Sequence, residues 1–204
     1  MKAELRRFER TDSGWKQVGD SWKAVVGVHG AAWGRGLHGN GAPAGQEGPV
    51  KREGDGRSPA GVFALGASFG YDKAPPRGAR LPYTQTDDHW LCVDDARSPH
   101  YNQVLDTAGL KPDWSSFEPM RRKDELYRRV IVVDHNPKTT PGAGSCIFLH
   151  IWHGPDGGGT AGCTAMAPGP MESLLAWLDP AARPVYVLLP ADQAAALRVP
   201  WALP

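Results

Sequence analysis

The sequence predicts a mainly β fold: an antiparallel sandwich or barrel-like domain with one or two short covering helices and long loops. First, 25 glycines and 19 prolines make up roughly a fifth of the 204 residues, which favours short strands joined by many turns. Second, several short apolar runs rich in β-branched residues are bounded by turn residues. Third, no regular helices separate these runs, which argues against a doubly wound α/β fold.

The runs predict strands along the whole chain. The strongest are Arg129–Val133 and Cys146–Ile151, where β-branched and apolar residues stand between turn residues. The remaining predicted strands are Lys23–Val28, Gly61–Leu65, Trp90–Val93 and Val185–Leu189, with an N-terminal edge strand over Leu5–Phe8.

One helix is predicted over Met171–Leu178, where Pro170 suits the first turn and Pro180 ends it. Shorter helices are predicted over Ala191–Leu197 and Glu118–Leu126. Three long loops are expected over residues 30–48, 68–84 and 98–114. No linker or repeat interrupts the chain, so one domain over residues 1–204 is predicted, with its core at about 20–190.

The charge balance gives no reason to expect a strongly charged partner. Lys and Arg total 23 against 22 Asp and Glu, a net charge of +1, so nothing calls for nucleic acid or an anionic membrane surface. No window of 18 apolar residues predicts a transmembrane helix. The first five residues have no apolar signal region, which leaves a cytosolic protein or an exported one whose signal has been removed.

The three cysteines, Cys92, Cys146 and Cys163, form no C-x-x-C pair, so a zinc ribbon and a thioredoxin motif are excluded. An odd number allows at most one disulfide and leaves one thiol over. That thiol is either an inert core residue or a reactive group.

The densest group of reactive residues runs from Ser145 to Met166. A strand ends in His150, a glycine-rich loop follows, and a small-residue turn presents Cys163 just before the predicted helix. A thiol nucleophile needs a neighbouring base, and His150 can supply one. Gly162 leaves room for a substrate carbonyl, and backbone N–H groups around Cys163 can hold an oxyanion.

Three other interpretations of this group stay open. Cys163 beside Gly and Ala can be a small core residue. A zinc ion on His150, His153 and Cys163 would need further ligands, and strand positions i and i+3 point to opposite faces. The run G-P-D-G-G-G-T-A-G could bind phosphate but lacks the G-K-[ST] ending of a phosphate loop.

A second motif lies at Glu53–Phe63, where E-G-D-G forms a turn and Ser58-Pro59 enters a strand. With the first motif, it resembles the L,D-transpeptidase catalytic domain family (YkuD-type), whose members remodel bacterial peptidoglycan. Ser58–Phe63 resembles the family's [ST]-P-x-G-x-F element. His150 and Thr160–Ala165 resemble its H…[ST]-H-G-C-h-N signature.

The chain departs from the broad family at Ala161 and Ala165, where that signature has His and Asn, and its loop from His150 to Thr160 is shorter. It resembles instead a proteobacterial branch with a T-A-G-C active-site motif. The further positions that resemble this branch are Glu53–Gly56, Tyr101, Asn102, Glu118, Tyr127, Asn136, Gly144, Ser145 and Ile147–His150.

The resemblance implies a YkuD-type β domain in which Cys163 forms a thioester with a peptidoglycan stem peptide and His150 takes the thiol proton. The backbone carbonyl of Ile151 would orient the imidazole. Backbone N–H groups of Gly162, Cys163 or Thr164 would form the oxyanion hole. No metal or cofactor is implied, and Cys92 and Cys146 would be core residues or a disulfide pair. The candidate substrate-binding residues are Trp152, His153, Thr160, Tyr101, Asn102, Glu118, Asn136 and Arg57.

The implied partners are peptidoglycan stem peptides and carbapenem-type inhibitors, with no nucleic acid, and a monomer is expected. An amine acceptor would give a crosslink and water would give hydrolysis, so an L,D-carboxypeptidase or endopeptidase is the alternative enzyme. A non-catalytic cell-wall binding module is the alternative outside catalysis. The resemblance implies a periplasmic location, with an export signal removed ahead of Met1.

Overall fold

Short strands dominate the computed structural model, which describes every residue from Met1 to Pro204. Strands hold 33% of the residues and helices 10%, and no sheet closes into a barrel. The predicted β-rich class with short helices is therefore confirmed.

The elements follow one another in this order: β1 Lys2–Leu5, β2 Phe8–Thr11, β3 Gly14–Gln17, β4 Trp22–Val25, β5 Ala31–Trp33, β6 Arg35–Gly36, β7 Gly39–Asn40, β8 Ser58–Gly70, β9 Tyr83–Gln85, β10 Trp90–Val93, β11 Val104–Asp106, β12 Phe117–Pro119, β13 Arg129–Val133, β14 Phe148–Ile151, β15 Thr164–Met166, α1 Pro168–Trp177, β16 Val185–Leu188 and α2 Ala191–Leu197. A short 3₁₀ turn over Pro180–Ala182 lies between α1 and β16.

The principal sheet has nine strands. Its main path runs β1-β4-β15-β14-β13-β8-β16, with β5 and β9 also paired to the long β8. Most neighbours are antiparallel, but β14 and β15 are parallel, as are the β5–β8 and β8–β9 pairs. A separate three-stranded sheet, β11-β10-β12, stands beside the principal one.

Alternation along β14 divides its side chains between the two main hydrophobic clusters, since successive residues of a strand point to opposite faces. Leu149 and Ile151 belong to the cluster that α1 covers with Met171, Leu174 and Leu175. Phe148 belongs to the opposite cluster, which also contains Cys163. The fold therefore places His150, two residues after Phe148, on the cysteine's side of the sheet.

The helix predictions have mixed outcomes. The bounds of Ala191–Leu197 are confirmed, and the predicted 171–178 helix exists over Pro168–Trp177. The helix predicted over Glu118–Leu126 is wrong. Phe117–Pro119 pairs with β10 instead, and pairing with a neighbouring strand overrides local helical preference.

The strand bounds differ from the predictions where the backbone turns. The predicted strand 146–151 begins only at Phe148, because Cys146 has a φ of 54°, a left-handed conformation outside the β region. The predicted strand 23–28 is β4, which ends at Val25. The run Leu5–Phe8 joins two strands, β1 and β2.

Two of the three predicted loops hold strands of only two or three residues, which are too short to give a periodic signal. Residues 30–48 contain β5, β6 and β7, and residues 98–114 contain β11. The stretch 68–84 begins inside β8, which is 13 residues long, and ends in β9.

A disulfide joins Cys92 of β10 to Cys146, two residues before β14, and leaves Cys163 as the free cysteine. Both bonded residues are buried, with exposed fractions of 1% and 6%. The bond therefore ties the three-stranded sheet to the principal sheet.

We expect the double variant Cys92→Ala/Cys146→Ala to lose about 2–4 kcal/mol of unfolding free energy, because the bond closes a long loop. Urea unfolding with and without reductant measures the loss. Cys163→Ala is the control and should keep the wild-type response to reductant. A double variant as stable as the oxidised wild type would contradict this role.

Candidate active site

Cys163 and His150 come together because β14 and β15 are parallel neighbours. His150 stands opposite Ala165 in the strand register, and Cys163 directly precedes β15. Both residues line a cavity of about 590 Å³. The sheet thus brings a thiol and an imidazole, 13 positions apart in the chain, to one concave surface.

The Cys163 sulfur sits among backbone groups of the segment that enters β14. The N–H of Phe148 donates to Sγ over 3.2 Å, and the thiol donates to the carbonyl of Cys146 over 3.4 Å. The N–H of Phe148 can therefore also stabilise a thiolate, since a hydrogen bond to the charged form favours it.

Two hydroxyls hold the main chain of Cys163. Its carbonyl accepts hydrogen bonds from Ser58 Oγ over 3.0 Å and from Thr160 Oγ1 over 2.5 Å. Ser58 is fully buried and also accepts the N–H of Gly27 over 2.9 Å. The conformation of the cysteine is thereby fixed both by Ser58 of the Glu53–Phe63 motif and by Thr160 of its own turn.

Gly162 leaves little space for a side chain. A Cβ there would lie 3.1 Å from the Arg57 carbonyl oxygen and 3.2 Å from Ile147 Cδ1. Its N–H donates to Thr160 Oγ1 over 3.2 Å. Of the three predicted oxyanion-hole residues, Gly162 thus has its N–H engaged within the turn. Cys163 lines the cavity, and its carbonyl is held by the Ser58 and Thr160 hydroxyls. The hydroxyl of Thr164 contacts that of Tyr186 at 2.7 Å.

The imidazole of His150 is oriented by its own strand. Nδ1 lies 2.7 Å from the carbonyl oxygen of Ile151, and a carbonyl can only accept, so Nδ1 carries the proton. Nε2 is then unprotonated in the neutral ring and can accept a proton. The ring also packs edge-on against Tyr127, with centroids 5.1 Å apart.

Burial keeps both groups neutral in the resting protein. It lowers the pKa of His150 to about 4. Burial, followed by the negative charge of Glu118, raises the pKa of the Cys163 thiol well above its ordinary value. The site therefore holds an uncharged thiol and an uncharged imidazole whose free Nε2 is able to accept a proton.

Four of the candidate substrate-binding residues line the cavity: Glu118, Trp152, His153 and Thr160. The other four bond to loops beside it. Tyr101 donates to Glu53 and accepts the N–H of Gly144, while Asn102 Oδ1 accepts the N–H of Cys146 over 2.9 Å. Asn136 bonds the carbonyls of Thr140 and Gly144, and Arg57 donates to the carbonyl of His29.

Several groups at the site were not among the predicted site residues. The charged ones on the cavity wall are Lys51, Glu53, Asp94 and Arg122. The N–H of Phe148 contacts the sulfur and Tyr127 contacts His150. The only sequence signals for any of them were the E-G-D-G turn at Glu53 and the position of Tyr127 before a strand.

Comparisons with known proteins added no assignment, since no protein-family model, curated protein or solved structure gave a significant match to this chain. None of its helices is long and apolar enough to cross a membrane. The site is therefore described by its geometry alone, as a buried, neutral cysteine and a buried, neutral histidine that line one cavity.

The lowered pKa of His150 predicts that acid destabilises the protein. Burial also lowers the pKa of His135 to about 4. The unfolded chain, with an ordinary histidine pKa of 6.5, binds more protons between pH 6.5 and 4, so stability falls as pH falls through that window. Between pH 7 and pH 5, each histidine should cost about 2 kcal/mol.

Urea unfolding at pH 7 and pH 5 measures this loss. The double variant His135→Asn/His150→Asn removes both titrating rings, so its loss over the same interval should be smaller by about 4 kcal/mol. A wild-type loss that persists in the double variant would show that other groups cause it.

Proposed function

We propose that this protein is a cysteine acyltransferase of peptidoglycan, an L,D-transpeptidase that crosslinks stem peptides. The observation that carries the proposal is the free Cys163 at a cavity wall, contacted by the Phe148 N–H and sharing the cavity with His150. The motifs at Ser58–Phe63 and Thr160–Ala165, and their resemblance to that family, supply the substrate class.

In the proposed reaction the Cys163 thiol gives its proton to His150 Nε2 while the sulfur bonds to the carbonyl carbon of an L-to-D peptide bond. The tetrahedral intermediate collapses to a thioester, and the departing amine takes the proton from His150. An acceptor amine then attacks the thioester, its proton passes through His150, and the thiol is regenerated. The bond from Nδ1 to the Ile151 carbonyl would stabilise the transient imidazolium.

The charges of the cavity support an amine acceptor. Glu53, Asp94 and Glu118 present carboxylates there, and Asp94 Oδ1 is buried without a hydrogen-bond partner. The two cations already have acidic partners, since Lys51 bonds Asp55 over 2.6 Å and Arg122 bonds Asp124 over 3.0 Å. This lining suits a peptide that carries an ammonium group.

The Cys92–Cys146 disulfide supports a periplasmic location, because disulfides form and persist in oxidising compartments. That location agrees with the substrate class, since peptidoglycan lies outside the cytoplasm.

Incubation with a carbapenem followed by intact-mass measurement tests the nucleophile. The wild type should gain one adduct and Cys163→Ala none, because the other two cysteines are bonded to each other. Purified muropeptides then test the reaction: dimers support transpeptidation and trimmed monomers support the hydrolase. A wild type that forms no adduct and leaves muropeptides unchanged would favour the non-catalytic binding module.

Two serines of β8 form a matched pair for testing how Cys163 is positioned. Ser58 and Ser68 are both fully buried, and each donates to a carbonyl: Ser58 to Cys163, and Ser68 to Pro82 over 2.9 Å. Both alanine variants should lose about 1–3 kcal/mol of stability.

Only Ser58→Ala should slow carbapenem acylation, by about tenfold, because small displacements of a nucleophile carry large rate penalties. Ser68→Ala should stay within twofold of the wild type. Equal acylation rates in the two variants would contradict a positioning role for Ser58.

A further inference from the structure

Tyr127 packs in the hydrophobic cluster that contains Cys163 and hydrogen-bonds the carboxylate of Glu118. It is buried, with an exposed fraction of 3%, and packs in the same hydrophobic cluster as Cys163. Its ring meets the rings of both Phe148 and His150 edge-on, at 5.7 and 5.1 Å. Its hydroxyl donates to Glu118 Oε1 over 2.5 Å.

The fold connects Glu118 to the segment that surrounds the Cys163 sulfur. Glu118 lies on β12, directly opposite Cys92 of β10, so the disulfide to Cys146 connects its strand to the segment that contacts the sulfur. The carboxylate of Glu118 lies 4.0 Å from Arg122 and accepts a hydrogen bond from the hydroxyl of Tyr127. Glu118, Tyr127 and Cys163 all line the one cavity.

We propose that Tyr127 and Glu118 form a hydrogen-bonded pair that controls the reactivity of the Cys163 thiol. In the resting protein the glutamate carboxylate accepts the tyrosine's hydrogen bond; in the proposal the hydroxyl turns from that carboxylate to the sulfur, within the cluster and cavity that the two residues share, as negative charge develops there. Tyr127 would transfer no proton: the S–H bond breaks toward His150, and the tyrosine O–H bond stays intact.

The electrostatic effects of the two residues on the sulfur have opposite signs. The hydroxyl of Tyr127, with the N–H of Phe148, lowers the pKa of the thiol, whereas the charge of Glu118 raises it. Burial raises the pKa of Tyr127 well above its usual value, so its hydroxyl stays protonated and remains a donor. Other polar groups of the cavity and its surroundings remain in both variants below: Lys51, Glu53, Asp94, Arg122, His150 and the hydroxyl of Tyr186.

Because Tyr127 and Glu118 affect the thiol pKa in opposite directions, removing each should change the reactivity of Cys163 in opposite directions, which the loss of a purely structural contact would not do. The readout is the rate at which iodoacetamide alkylates Cys163 at pH 8, followed by intact mass. Tyr127→Phe keeps the ring on His150 but loses the donor, so the rate should fall about tenfold, as expected for a hydrogen bond to a charged group. Glu118→Gln keeps an acceptor for the hydroxyl but removes the charge, so the rate should rise several-fold.

Tyr71→Phe is the matched control. Tyr71 is a buried tyrosine of the same cluster whose hydroxyl accepts the backbone N–H of Arg122 over 3.1 Å, so Tyr71→Phe removes a buried tyrosine hydroxyl but neither the side chain of Arg122 nor a group that bonds the thiol. Its alkylation rate should stay within twofold of the wild type. Circular dichroism confirms folding of each variant, and if Tyr127→Phe does not fold, the rise in Glu118→Gln decides the matter alone.

A Tyr127→Phe rate within twofold of the wild type would overturn the proposal, as would a Glu118→Gln rate that is unchanged or slower. The proposal rests on Cys163 as the nucleophile of the proposed function. Iodoacetamide needs no peptidoglycan, however, so failure of this pair and failure of the transpeptidase assignment are read from separate experiments.

Discussion

The disulfide between Cys92 and Cys146 is the constraint on which the site depends. The cavity has one wall from the principal sheet and another from the three-stranded sheet; packing and side-chain hydrogen bonds such as that from Tyr127 to Glu118 join the two, and this is the covalent bond between them. On one side of the bond, the carbonyl of Cys146 accepts a hydrogen bond from the Cys163 thiol. On the other side, Cys92 stands opposite Glu118. A shift of either strand would therefore move a charge relative to the sulfur.

A second dependence lies in the direction of two strands. In a sheet that is otherwise mostly antiparallel, β15 runs parallel to β14, so the chain must cross back before it forms β15. The glycine-rich loop and the turn at Thr160 make that return. Cys163 therefore arrives at the start of its strand while His150 lies inside its own, and the N–H of Phe148 is left facing the sulfur.

The sequence allowed the class of fold, the bounds of α2 and the candidate pair Cys163 and His150 to be predicted, because each has a local signal in periodicity or motif. Other features depend on contacts between distant segments. Glu118 carried a helical pattern, but pairing with β10 made it part of a strand. The positive φ of Cys146 shortened β14. Ser58 was predicted only as the entry to a strand and the start of a family element, and only the folded chain shows its hydroxyl on the Cys163 carbonyl.

The neutral resting state of Cys163 also bears on chemical durability. A thiolate attacks oxidants and stray disulfides far faster than a thiol does. A buried thiol that stays protonated until a bound carbonyl and a base act together presents almost no thiolate to dissolved oxidants. The same burial that makes the sulfur a weak nucleophile at rest would let it persist as a free thiol beside a disulfide, in surroundings that oxidise exposed cysteines.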